Sequence, residues 1–218
     1  MERHIMADMS RLPAHCDPTD LTTLLTRIRA CRLCEAELPH APRPVIRADL
    51  SARILIVGQA PGTRVHESGL PFDDASGDRL RSWMQVDREL FYDTSRIAFA
   101  PMGFCFPGQD ERGSDLPPLK RCGPTWQGQV KAALPNLKLV LLIGQYAQAH
   151  HLGPTRKRTL TETVRNWRDY GPEHFPLPHP SWRNTAWIRR NPWFEEDVLP
   201  ALRARLAAIL GPAPGGAG

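Results

Sequence analysis

The chain has 218 residues, 41% hydrophobic and 23% charged, long enough for one domain to bury a full core without disulfide or metal staples. No run approaches eighteen consecutive apolar residues, and residues 1–20 carry charges and prolines where a signal peptide needs an apolar core. A membrane span is thereby excluded and a cytoplasmic protein expected. The net charge of +5 is matched by residues 153–190 alone, where eight basic residues meet three acids. A polyanionic partner is the expectation, with an ordinary solvated basic face as the alternative.

Residues 1–18 read as a flexible N-terminus, 19–211 as a single domain, and 212–218 as a flexible tail. Thr19 or Asp20 is placed to cap a helix running to Ala30, with Leu21, Leu24, Leu25 and Ile28 forming its apolar stripe. After a proline-rich connector, Ile54-Leu55-Ile56-Val57 has the continuous aliphatic character of a strand buried on both faces. It ends at Gly58-Gln59-Ala60-Pro61-Gly62, a turn that can bring main-chain N–H groups close to a ligand. A loop, Gly69 to Gly77, then leads to an expected helix from Asp78 to Leu90.

Arg96–Met102 is expected to form a second strand, Pro124–Leu134 a helix, Leu137–Ile143 the strongest strand, and Gln145–Leu152 and Leu160–Tyr170 two further helices. His174–Leu177 reads as a last short strand. Asn191-Pro192 opens a C-terminal helix, whose start Pro200 delays or kinks. Strands alternating with helices give the fold class: a three-layer α/β/α sandwich around a central, mostly parallel, four-stranded sheet.

Five cysteines stand at 16, 31, 34, 105 and 122. Cys31 and Cys34 form a CxxC pair, whereas Cys105 and Cys122 bracket an irregular Pro/Gly-rich stretch that presents thiols from loops. Two such pairs make a four-thiolate site, suited to zinc or to an iron–sulfur cluster. Cys16 falls outside the pattern.

The turn Gly58-Gln59-Ala60-Pro61-Gly62, the stretch Gly69-Leu70-Pro71-Phe72 and the late His179-Pro180-Ser181 together resemble the uracil-DNA glycosylase superfamily. The cysteines resemble those of its iron–sulfur branch, families four and five. The resemblance covers roughly residues 24–206. It implies a 4Fe–4S cluster on Cys31, Cys34, Cys105 and Cys122, structural in role, with zinc as the alternative. It implies that Gly58, Gln59, Ala60 and Gly62 form the base-binding turn, that Phe72 stacks on the flipped base, and that His179 donates to the leaving base. Ser181, Trp182, Arg183 and Asn184 would enter the minor groove. Two positions depart from the pattern. Ala60 stands where the best-known members carry a water-positioning Asp, a role that family five resembles in giving to Asp74 of Asp74-Ala75-Ser76. Pro101 stands where family-four members carry an Asn that reads the base.

Breaking an N-glycosidic bond develops positive charge on the sugar and negative charge on the base, so a site needs a donor on one side and a carboxylate with water on the other. His179 suits the first role and Asp74 the second, with Asp73 as its substitute; a helix N-cap is the plainer account of Asp74. No lysine lies in the motifs to form a Schiff base, so no strand cleavage is expected. Arg189 and Arg190 are expected to hold phosphates. Trp182, Trp187 and Trp193 divide between the DNA-facing loop and core packing. The expected activity is excision of uracil or a related deaminated base from DNA, by a monomer. The alternatives are a hypoxanthine or xanthine glycosylase, and a non-catalytic nucleic-acid-binding domain ordered by its metal cluster.

Overall fold

The computed structural model describes residues 18–211, with side chains from residue 21 onwards. Of the expected flexible ends, residues 1–17, with Cys16, and 212–218 lie outside the described residues, as do the side chains of Thr19 and Asp20; Pro18 already belongs to the first helix.

Four strands form one sheet: β1 (Ile54–Val57), β2 (Ile97–Phe99), β3 (Leu139–Ile143) and β4 (His174–Leu177). Their order is β2-β1-β3-β4 and every neighbouring pair is parallel. β1, β2 and β3 are wholly buried apolar runs that suit a sheet covered on both faces, whereas β4 carries His174 and Pro176, which an edge strand tolerates. Alternation then divides the core. Leu55, Val57, Ala98, Val140 and Leu142 face one layer, with α1 (Pro18–Arg29), α5 (Cys122–Ala132) and α6 (Gln145–Leu152). Ile54, Ile56, Ile97, Phe99, Leu141 and Phe175 face the other, with α3 (Ala75–Met84), α4 (Arg88–Tyr92), α7 (Leu160–Arg165) and α9 (Leu199–Leu210). This is the expected three-layer sandwich, and its sheet is wholly parallel.

Several elements differ from the sequence expectation. The 78–90 helix is broken in two, because Gln85 adopts a left-handed conformation (φ 53°) that closes α3, and Asp87 then caps α4 by accepting the Leu90 N–H at 2.7 Å. A short helix, α2 (Thr63–Ser68), fills part of the motif loop, and α8 (Thr185–Arg190) follows the His-Pro-Ser stretch. The 160–170 helix ends at Arg165 and continues as a tighter 3-10 turn. The C-terminal helix is preceded by a wide π turn over Phe194–Val198, so Pro200 falls in the first turn of α9, where no N–H is needed.

The carboxyl ends of β1, β2 and β4 open on one side of the sheet. β1 and β3 are the neighbours at which the winding reverses, and a crevice at such a switch point is where open parallel sheets bind ligands.

Candidate active site

A cavity of about 330 Å³ occupies that crevice. Its floor is the turn after β1. The carbonyls of Gly58 and Gln59 accept the N–H groups of Met102 and Gly103, both at 2.9 Å, which fastens the turn to the segment after β2. The N–H groups of Gln59 and Ala60 have no acceptor among the described residues. They are free main-chain donors, held by a turn whose Gly58 and Gln59 carbonyls are already engaged.

Phe72 forms one wall. Its backbone lies in the left-handed region (φ 55°), a conformation costing about 1–2 kcal/mol in a residue with a Cβ. Three features hold it there. Tyr92 Oη donates to the carbonyls of Pro71 and Phe72 at 2.9 and 3.1 Å; Phe91 packs edge-on against the ring; and Gly77 has no Cβ to overlap the Phe72 carbonyl. Gly58 is equally constrained, since a Cβ there would meet Phe72 Cζ at 3.1 Å. The strain sets the ring against the turn after β1.

Asp74 follows at the N-terminus of α3. Its Oδ1 accepts the Gly77 N–H at 2.9 Å, so the capping role foreseen for it is present. The same side chain lines the cavity. One oxygen fixes the carboxylate and the other is available to a ligand. Asp73 does not line the cavity: its Oδ1 accepts from Arg88 at 2.9 Å, and that bond holds its carboxyl below the usual range. The two carboxylates diverge because successive side chains leave extended backbone on opposite sides, and Asp74 is extended (φ −152°, ψ −179°).

His179 arrives from the end of β4, beside Gly144 at the end of β3, where a Cβ would lie 3.6 Å from His179 Cβ. Burial pushes its proton affinity down, against the opposing pull of Asp74 and Asp115. The Ser181 N–H donates to His179 Nδ1 at 3.2 Å, which assigns the ring proton to Nε2. His179 is therefore a neutral donor.

Ser181, Arg183 and Asn184 also line the cavity. Their loop is tied internally: Asn184 Nδ2 donates to the His179 carbonyl at 2.7 Å, and Arg79 Nη1 from α3 donates to the Ser181 carbonyl at 3.0 Å. Trp182 projects outward, 72% exposed, with Arg183 against its ring. Trp187 and Trp193 instead pack against the core and against each other. Arg189 and Arg190, at the end of α8, are exposed and outside the cavity. Elsewhere the basic segment is partly neutralised: Lys157 pairs with Asp169, Arg158 with Glu162, and Arg168 with Asp197.

Val45, Val65, Ser76 and Asp115 line the cavity without having been singled out by sequence, and Pro101, marked there as a departure from the family pattern, lines it as well. Val45 and Asp115 come from irregular segments, where periodicity carries no signal.

Cys31, Cys34, Cys105 and Cys122 line a second, small cavity walled by Leu33, Pro42, Pro44, Phe104, Leu119 and Trp126. The Phe104 N–H donates to Cys122 Sγ at 3.3 Å. Burial pushes the Cys105 thiol up to about 11 and Cys122 up to about 12, and it raises Cys34 as well. Among the described residues no three His, Cys, Asp or Glu side chains are closed on a single ion position. No helix among those residues is long and apolar enough to cross a membrane.

Residues 46–203 match the family model described as the Uracil DNA glycosylase superfamily. Among solved structures, the chain is similar to a candidate uracil DNA glycosylase from Methanosarcina acetivorans, determined by NMR in solution. The identity is 18% and the TM-score 0.39, over 72% of this chain and 93% of that one.

Proposed function

Because the chain belongs to the uracil DNA glycosylase superfamily, we propose that it hydrolyses the N-glycosidic bond of uracil, or of a related deaminated base, in DNA. The observation that carries this reading is one cavity lined by Phe72, Asp74 and His179 over the free N–H groups of Gln59 and Ala60. A target atom inside a duplex is unreachable, so the nucleotide is extruded into this cavity. There the base stacks on Phe72, and its carbonyl edge meets the main-chain donors and His179 Nε2–H.

As the C1′–N bond breaks, its electron pair leaves with the base. Neutral His179 stabilises that anion by hydrogen bonding rather than by protonating it. Asp74 holds the attacking water on the sugar and offsets its positive charge. The water oxygen bonds to C1′ and its proton leaves by way of the carboxylate, giving an abasic site and a free base. No amine takes part, so the strand stays intact.

Trp182 fills the gap in the base stack, and Arg183, Arg189 and Arg190 contact phosphates. The exposure of all four supports this.

The four cysteines suit a 4Fe–4S cluster: all line one apolar cavity, and an N–H···S bond is already present at Cys122. The thiols of Cys34, Cys105 and Cys122, raised by burial, lack the positive partner a metal supplies. When bound, the cluster ties the end of α1 to the segment from Cys105 to α5 and takes no part in bond breaking. Zinc is the alternative occupant of the same four ligands.

The test is base release from single- and double-stranded oligonucleotides carrying uracil, hypoxanthine or xanthine. Release of at least one base with an intact abasic strand is expected. DNA binding with no release from any of them would instead make this a binding domain.

A further inference from the structure

A second carboxylate besides Asp74, that of Asp115, lines the cavity. It belongs to the segment 108–116, which folds back on itself. The Leu116 N–H donates to the Gly108 carbonyl at 2.9 Å, residues 109 and 115 form an antiparallel bridge, and Asp110 Oδ1 accepts the N–H groups of Arg112 and Ser114. Gly108 and Gly113 supply the positive φ angles the reversal needs. Gln59 Nε2 donates to the Leu116 carbonyl at 3.4 Å, so this loop is fastened to the base-binding turn itself.

The two oxygens of Asp115 have different surroundings. Oδ1 accepts from Gln109 Nε2 at 3.1 Å. Oδ2 lies against Gly62, where a Cβ would come within 3.1 Å of it, and has no partner among the described residues. Glycine at 62 therefore leaves room for a carboxylate oxygen beside the turn that lines the cavity. The neighbouring wall offers no donor: Pro101 has no N–H, and its carbonyl already accepts from Gln127 Nε2 at 2.8 Å.

Deamination has a specific effect on such a wall. It turns the ring nitrogen of cytosine or adenine from a lone-pair acceptor into the N–H of uracil or hypoxanthine. An ionised carboxylate accepts hydrogen bonds only, so it attracts the product base and repels the parent.

We propose that Asp115 selects the base: its Oδ2 accepts the ring N–H that deamination creates, and a ring lone pair in the same place is rejected. The proposal rests on the glycosylase reading and deepens it. One carboxylate then serves both the pyrimidine and the purine lactam, in a site where Pro101 leaves no side-chain amide. Guanine and thymine already carry this N–H, so Asp115 does not exclude them.

Asp115→Asn tests this. Gln109 keeps donating to the amide oxygen, which turns the new NH₂ toward the base, donor against donor. Single-turnover release of uracil and hypoxanthine should fall roughly 10–100-fold, the loss expected of a hydrogen bond to a charged group. Affinity for the same duplex carrying an abasic-site analogue, which offers no base to read, should not change. Unaltered release of both bases by an active variant would overturn the assignment, and so would an equal loss of abasic-site affinity. Wild-type protein that releases no base would remove the glycosylase reading as well, so the two failures are distinguishable.

Discussion

The Ser181 N lies 3.2 Å from His179 Nδ1, and this one contact leaves Nε2 as the histidine's donor nitrogen in the side chain that lines the cavity. Loop geometry sets the tautomer and burial keeps the ring neutral. His179→Ala removes a preorganised donor, and the base-release rate should fall ~10²–10³-fold with abasic-DNA affinity retained. Single-turnover kinetics beside a binding titration separate the two effects.

The same burial fixes a pH dependence. With its proton affinity below the ordinary histidine value of 6.5, His179 stays neutral as pH falls through 6.5. The release rate should therefore be level from pH 8 to about 6.5 and decline only in more acid solution. A rate profile on uracil-containing DNA checks this, and a decline centred at or above pH 6.5 would contradict it.

Stability should fall in the same direction. His151, at the end of α6 beside His150, His174 and Lys131, is pushed down to about 3 by burial. The unfolded chain takes up its proton near 6.5 and the folded one does not, so stability is lost progressively as pH drops from about 6.5 towards 3. Within that window the loss approaches about 1.4 kcal/mol for each pH step of one. Urea midpoints at pH 7.5 and 5.5 should differ accordingly, and His151→Gln should narrow the difference.

Gly77→Ala places a methyl group on the Phe72 carbonyl. Relief requires moving either the start of α3 or the strained wall of the cavity. The expected outcome is a loss of about 1–3 kcal/mol in stability together with slower base release. Thermal melts and kinetics on the same preparation measure both.

Protein purified without oxygen should be brown, absorbing near 400 nm, and Cys122→Ser should lose that absorbance together with thermal stability. Colourless protein containing stoichiometric zinc would decide for the alternative occupant.

Much of this site was legible in the sequence because its chemistry sits at the ends of strands, which aliphatic runs reveal. Ile54–Val57 and His174–Leu177 coincide with β1 and β4, and the motifs following them supply Gln59 and His179. Choosing Asp74 over Asp73 required backbone direction: one residue's shift exchanges a cavity oxygen for an ion pair with Arg88. Asp115 was illegible, since its place depends on a loop folded over Gly62 by contacts between distant residues. The break at Gln85 was hidden for another reason. A left-handed glutamine carries no compositional mark, unlike the glycine that usually ends a helix.

The most direct test is single-turnover release of uracil by wild type and by Asp74→Asn, with intact strand and free base both quantified. The variant keeps an oxygen to accept the Gly77 N–H, so α3 and Phe72 stay in place while the charge beside the sugar is lost. Wild-type release of free uracil, slowed at least ~10²-fold in the variant with unchanged affinity for abasic DNA, is the predicted result. Equal rates in the two proteins would contradict the role given to the cavity between Asp74 and His179.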